Sequence, residues 1–271
     1  MSLSFISLGL GDKHDITVRG LQKVQNSDVV YLEYYTSMFL STKEELEDFF
    51  QKDIILATRN IVEAEDNRII KDAKEKKVAF LVIGDVFSAT THSDLYLRAT
   101  QEHIQTDITY NASILTAVGC TGLQLYKFGK TTSLVFFEPD WKPQTAYDVI
   151  KENQKQNLHT LCLLDIKVAE PSKIDLAKEN YQPQKPRFMT IQQAITQLQE
   201  IERERKENIF TQNTKIIGVA RLGQETQKIV FGTVEELQTI HFGEPLHSLI
   251  IPAQNMHFHE EEMLELYKIK K

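Results

Sequence analysis

The chain has 271 residues, 41% of them hydrophobic and 25% charged, an ordinary globular make-up long enough for one large domain or two smaller ones. A formal net charge of -7 argues against non-specific attachment to a phosphate backbone, which needs a positive field, so no nucleic-acid partner is expected. No apolar run approaches the ~20 residues that span a bilayer, and the N-terminus lacks the basic-then-apolar order of a signal peptide, so the expectation is a cytoplasmic protein with no membrane partner.

Residues 4–8 read as a short strand that runs into Gly9-Leu10-Gly11-Asp12. Residues 17–27 read as a helix with Leu21 and Val24 inward and Asp15 as its cap. A strand at 29–32 follows, then a helix at 42–50 that Thr42 opens with Glu45 at capping-box spacing, then a strand at 54–57. Residues 61–76 read as one helix, acidic first and basic last, an order that suits its dipole. The apolar run 78–83 is a central buried strand that ends in Gly84-Asp85, followed by a helix at 93–103 and a strand at 106–110. This alternation argues an α/β protein with a mostly parallel sheet. The domain boundary falls near Asn111, giving an N-terminal α/β domain of residues 1–110 and a C-terminal α/β domain of residues 111–271.

The second half opens with an apolar stretch at 114–125 that Gly119 and Gly122 interrupt. A strand at 133–137, a helix at 145–156 and a strand at 160–166 come next, then a loop carrying Pro171, Pro183 and Pro186. The helix at 190–206 places Ile191, Ala194, Ile195, Leu198 and Ile201 on one core-facing stripe, with 202–207 as its solvated charged end. Strands at 215–220 and 228–232, a short helix near Glu235, a strand at 248–251 and a helix from Glu260 complete the chain. Few helices separate these later strands, so a mixed sheet is expected there. Cys120 and Cys162 lie in apolar stretches without paired spacing and read as buried thiols of a reducing compartment.

Two strand ends carry the chemistry. Gly84-Asp85-Val86-Phe87-Ser88-Ala89-Thr90-Thr91-His92 joins a buried strand to a helix, which is where open α/β sheets place ligands. Asp85 accepts hydrogen bonds and the small residues after it let backbone approach a ligand; the alternative is an Asp-rich helix start with a satisfied histidine. Gly9-Leu10-Gly11-Asp12 lacks the third glycine of the dinucleotide fingerprint and no helix opens immediately, so taken alone it reads first as a plain tight turn. His257, His259 and Glu260 offer no third ligand at zinc-like spacing and read as surface or interface histidines, so no metal is expected.

In order along the chain, Leu8-Gly9-Leu10-Gly11-Asp12, Tyr31-Leu32-Glu33, Gly84-Asp85, Ala89-Thr90-Thr91-His92, Asn111-Ala112-Ser113-Ile114, Gly122-Leu123-Gln124-Leu125-Tyr126, His159 to Ile166, Gly218 to Gly223 and Gly243-Glu244-Pro245-Leu246-His247 resemble the diphthine synthases (diphthine methyl ester synthases). These form a branch of the tetrapyrrole-methylase-like, S-adenosylmethionine-dependent methyltransferases. The turn departs from that pattern at Val86, where proline is usual, at Ser88, where glycine is common, and at Ser7, where glycine is frequent.

The resemblance implies two α/β domains of the tetrapyrrole methylase type, usually in a homodimer, with S-adenosyl-L-methionine in the cleft between them and S-adenosyl-L-homocysteine as product. Carried over by position, cofactor contacts fall on Leu10, Asp85, Ser88, Ser113, Ile114, Leu164, Leu222 and His247. The implied partner is elongation factor 2, whose 3-amino-3-carboxypropyl-histidine is methylated on its amine and, in eukaryotic-type members, on its carboxylate. Lys142, Lys167, Arg187 and Arg221 are candidates for the surface that meets it. The sequence assigns no catalytic side chain. The competing readings are a tetrapyrrole methyltransferase of the same fold and a non-catalytic protein that binds the cofactor or the elongation factor.

Overall fold

Alternation along the first strands builds two cores rather than one. A computed structural model describes residues 1–64, 67–168 and 185–269. Pro186 lies within them, whereas Pro171 and Pro183 of the expected loop lie outside. Contacts divide the chain into two compact units, one built on Met1–Ile114 and the other on Leu115–Lys167 with Arg187–Lys271.

In the first unit β1 (Ser2–Ser7), β2 (Val29–Glu33), β3 (Ile54–Ala57), β4 (Lys77–Val82) and β5 (Gln105–Thr109) form a sheet in the order β3-β2-β4-β1-β5. Every pairing in it is parallel. Its strands are linked by α1 (Val18–Gln25), α2 (Lys43–Phe50), α3 (Arg59–Glu63) with α4 (Arg68–Glu75), and α5 (Ser93–Gln101). Leu3 and Phe5 of β1 join Phe80, Val82 and Tyr31 in a core closed by Ile69, Ala73, Leu95 and Ala99 from α4 and α5. Ile6 joins Leu81, Ala79, Val30 and Leu32 in a second core closed by Val24, Leu46 and Phe50 from α1 and α2. Period-2 alternation therefore feeds both faces of one sheet, and each large side chain buried this way contributes ~1.5–3 kcal/mol.

Two local expectations for this unit are corrected. Thr17, not Asp15, caps α1, its side chain accepting from Gly20 N, while Asp15 closes a short turn of its own. The single helix expected at 61–76 is two helices. Asn67 separates them: its side-chain oxygen accepts from Ile69 N and Ile70 N, and its amide donates to Val62 O. One side chain thus ends α3 and starts α4, a competition with the helix that asparagine is chemically suited to. The capping box at Thr42 and Glu45 forms as expected.

α6 (Ile114–Ala117) begins at the last residue of the first unit, and the second unit continues from it through short turns to β6 (Thr132–Leu134), α7 (Thr145–Lys155), β7 (Thr160–Leu164) and the two-residue ladder of β8 (Ile166–Lys167) with β9 (Arg187–Phe188). Then come α8 (Ile191–Arg205), β10 (Lys215–Ala220), β11 (Lys228–Thr233), α9 (Val234–Gln238), β12 (His247–Ile251) and α10 (Phe258–Glu265). The sheet runs β11-β10-β12-β7-β6, antiparallel except for β6 with β7. It is the mixed sheet expected. The α8 stripe Ile191, Ala194, Ile195, Leu198 and Ile201 is buried against it.

The strand expected at 133–137 is shorter because the Asp165 carboxylate accepts the Phe136 N–H at 2.9 Å and draws the chain out of the ladder. The end of α8 is not simply solvated. Glu202 accepts from Asn208 N, Ile209 N, Phe210 N and the Tyr147 hydroxyl, so it fastens the following loop. Cys162 is buried, whereas Cys120 is exposed.

Candidate functional site

In the first unit the carboxyl ends of β1, β4 and β5 meet at one carboxylate. Asp85 accepts from Ser7 Oγ at 3.3 Å and Asn111 N at 3.2 Å through one oxygen. Its other oxygen accepts from Phe87 N at 3.1 Å and Ser88 Oγ at 3.3 Å. Three neighbouring strand ends are therefore tied to a single side chain. Gly9 and Gly84 exchange backbone hydrogen bonds of 3.1 and 2.7 Å across the β1 and β4 ends. Both have positive φ, +83° and +77°, and a Cβ on Gly9 would stand 2.7 Å from Asp15 Cβ. Asp15 holds the other side of this turn, accepting from Leu10 N at 3.2 Å and Gly11 N at 2.7 Å. Glycine is thus required at position 9 for conformation and for room.

The two departures at Ser7 and Val86 are joined to one another. The Val86 N–H donates to Ser7 Oγ at 3.0 Å. A proline at 86 would lack that donor and a glycine at 7 would lack the acceptor, so each residue satisfies the other. Ser113 is buried and Ile114 half-buried just after β5, and Leu10 is half-buried just after β1. All five candidate residues of this unit, Leu10, Asp85, Ser88, Ser113 and Ile114, lie beyond the carboxyl ends of β1, β4 and β5.

In the second unit Leu164, Leu222 and His247 are buried at one end of the sheet. Leu164 ends β7 and His247 opens the antiparallel β12 beside it, with Ala220 of β10 paired to His247 and Leu222 two residues further on. His247 Nε2 lies 3.0 Å from Glu244 O and 3.2 Å from Gly243 O. Carbonyl oxygens only accept, so the proton resides on Nε2 and Nδ1 is a bare acceptor. Among the described residues Nδ1 is buried without a partner, and burial holds the imidazole below its ordinary pKa, keeping it neutral.

Arg221 is half-buried. Its guanidinium donates to Phe242 O, Glu244 O and Thr226 O, which lashes the loop ahead of His247. Lys142 and Lys167 are committed to Glu200 and Glu138, and Arg187 lies 4.3 Å from the Phe136 ring centroid. His257 and His259 are exposed, but Glu260 beside them is buried against His159.

The model of the tetrapyrrole (corrin/porphyrin) methylases matches residues 2–238. The diphthine methyl ester synthase of Bos taurus is 49% identical over 271 residues, covering 98% of this chain and 95% of that protein. That of Dictyostelium discoideum is 46% identical over 273 residues and covers 100% of each. The chain belongs to the diphthine methyl ester synthases, within the tetrapyrrole methylase family. A crystal structure of a diphthine synthase superposes with a TM-score of 0.83 at 37% identity, over 99% of this chain and 96% of that one. The fold expected from the sequence is therefore the fold of the family, and the chain is an S-adenosylmethionine-dependent methyltransferase.

Sequence reasoning named Ser7, Asn111 and Arg221 but missed the roles they take at these strand ends. Ser7 had a readable signal, a hydroxyl at the last position of an apolar strand. Asn111 had one too, as the first polar residue past β5; its amide donates to Ser7 O at 3.3 Å and Asp15 O at 2.9 Å. Arg221 had none, because its role depends on carbonyls 21 and 23 residues away.

Proposed function

We propose that this chain is a methyltransferase of diphthamide biosynthesis that methylates the 3-amino-3-carboxypropyl-histidine of elongation factor 2. The observation that carries the reading is full-length identity near one half to diphthine methyl ester synthases of distant organisms. The proposed cofactor-holding residues are Leu10, Asp85 and Ser88 from the N-terminal domain (1–110) and Ser113, Ile114, Leu164, Leu222 and His247 from the C-terminal domain (111–271). The buried bare acceptor at His247 Nδ1 fits the exocyclic amine of an adenine ring. The paired glycines at 9 and 84 hold the ends of β1 and β4 together beside the proposed contacts Leu10 and Asp85. Bound S-adenosylmethionine supplies a methyl group already activated as a sulfonium.

The residues of the chain then need to hold donor and acceptor in line, and orientation of this kind can contribute ~7–11 kcal/mol. A carboxylate acceptor of pKa ~3.5 is ionised at neutral pH and needs no base, whereas an amine of pKa ~8 must lose a proton first. No side chain is assigned as an obligatory base. The reading includes a cytoplasmic homodimer. Among the described residues no helix is long and apolar enough to cross a membrane.

Incubation of the chain with S-adenosylmethionine and elongation factor 2 bearing the unmethylated side chain tests the reading by mass spectrometry. Methyl groups appearing on the modified histidine support it. An unchanged elongation factor beside a methylated tetrapyrrole would replace it with the competing acceptor.

A further inference from the structure

His92 is wholly buried, at 0% exposure, between the Asp85–Ser88 turn and the start of α5. Its Nδ1 lies 3.2 Å from Val86 O, an oxygen that also accepts from Thr90 Oγ1 at 2.5 Å. A carbonyl cannot donate, so the proton sits on Nδ1 and Nε2 is a lone-pair acceptor. That atom is buried without a partner among the described residues. The ring stands edge-on to Phe80 at 5.1 Å and to Tyr35 at 6.4 Å between centroids.

Tyr35 shows the complementary defect. It is 4% exposed, and among the described residues no hydrogen bond of good geometry reaches its buried hydroxyl, the nearest polar neighbour being the Thr91 side chain. Burial pushes the phenol well above its ordinary pKa, so it remains a donor. A ring carrying a buried donor therefore packs edge-on against a ring carrying a buried acceptor. Tyr35 is itself held by Glu33, whose carboxylate accepts Tyr35 N at 2.9 Å, Thr36 N at 2.8 Å and Thr36 Oγ1 at 2.7 Å. The Arg59 guanidinium lies 5.2 Å from the Tyr35 ring centroid, and Glu63 accepts from Thr91 Oγ1 beside His92. Folding alone does not account for the pair: apolar rings of the same shape would bury equally well with no orphaned polar atoms.

We infer that His92 and Tyr35 are positioning residues of methyl transfer, acting through the Val86 carbonyl on the Asp85–Ser88 turn. The inference rests on the reading that this turn holds S-adenosylmethionine. Strands β2 and β4 are neighbours, so the Tyr35–His92 contact ties the loop after one to the turn after the other. The Val86 carbonyl is held from two sides, and Asp85 and Ser88 inherit its placement.

The test compares His92→Leu, His92→Asn and Tyr35→Phe in the full chain, with thermal melting as the folding control. Asparagine places an amide N–H near the position of Nδ1 and so can still reach Val86 O. Calorimetry should find cofactor affinity weakened about tenfold by His92→Leu but restored to within about threefold by His92→Asn. Nitrogen-15 spectra of the histidine side chains should show the Nδ1-protonated tautomer at His92, and Tyr35→Phe should move its Nε2 resonance. Equal losses in the two His92 variants, wild-type affinity in His92→Leu, or an Nε2-protonated ring would each overturn the inference. A wild-type chain that binds no S-adenosylmethionine overturns the functional reading and this inference with it, whereas normal wild-type binding with indifferent variants overturns the inference alone.

Discussion

His159 Nε2 lies 2.9 Å from Glu260 Oε1, although 101 residues separate them in the chain, and both side chains are out of contact with solvent. His159 Nδ1 accepts from Ala253 N, so the ring is a neutral donor toward the carboxylate. Glu260 also accepts from Gln124 N and His257 N and pairs with Lys127. The start of β7, the turn at Gln124 and the cap of α10 converge on one carboxylate.

Glu260→Ala is expected to destabilise the chain by about 3–5 kcal/mol, because it strands several buried donors at once. Denaturant unfolding measures this. A loss below about 1 kcal/mol would mean that water reaches the donors in its place.

Acid should weaken the fold in two stages. Burial holds His92, His159 and His247 below the ordinary 6.5. Burial opposes charge on Glu260 too, but the Gln124 and His257 N–H groups and the His159 ring outweigh it and bring the carboxyl down to about 2 from 4.5. In each case the unfolded chain takes up a proton that the native chain refuses, so this stability is complete above the unfolded pKa and is lost as pH falls. The histidines act first, below 6.5, and Glu260 acts between 4.5 and about 2. Glu33, pushed up by burial against its hydrogen bonds, works in the opposite sense. Unfolding free energies over a descending pH series check the order; a flat profile from 6.5 to 4.5 would contradict burial of the three rings as neutral groups.

Ser7→Ala should cost about 1–3 kcal/mol by leaving Val86 N–H buried and unpaired. Val86→Pro should remove the same interaction from the other side. If the two residues satisfy each other, the double variant loses less than the sum of the singles, and a double-mutant cycle in denaturant reads that coupling directly. Strict additivity would show the contact to be incidental.

His247→Phe should keep the ring volume beside Phe242 while removing the buried acceptor. Affinity for S-adenosylmethionine is expected to fall about tenfold, a loss typical of one hydrogen bond to a bound group. Calorimetry decides it; unchanged affinity would take His247 Nδ1 out of the site.

The features legible in the sequence were those set by neighbours in the chain. Thr42 with Glu45, the α8 stripe and the apolar run of β4 each announce themselves within a turn or two of backbone. The strand ends at Gly9 and Gly84 were legible as turns, but their mutual hydrogen bonds were not. What escaped depends on distant partners. Glu260 reads as a surface residue until His159 is placed against it, and Asn67 reads as mid-helix until its amide folds back on Val62. Cys120 sits in an apolar stretch yet is exposed.

The sheet of the first unit constrains how its sequence can change. Successive residues of β1 serve opposite layers, and the strand lies between β4 and β5 with both neighbours in fixed register. Deleting one residue there would exchange every inward contact for its mirror position in both layers simultaneously, and would drag Ser7 off Asp85 as well. A change of length in β1 is therefore expected to disrupt both layers, whereas a swap of one side chain for another of like bulk disturbs only its own.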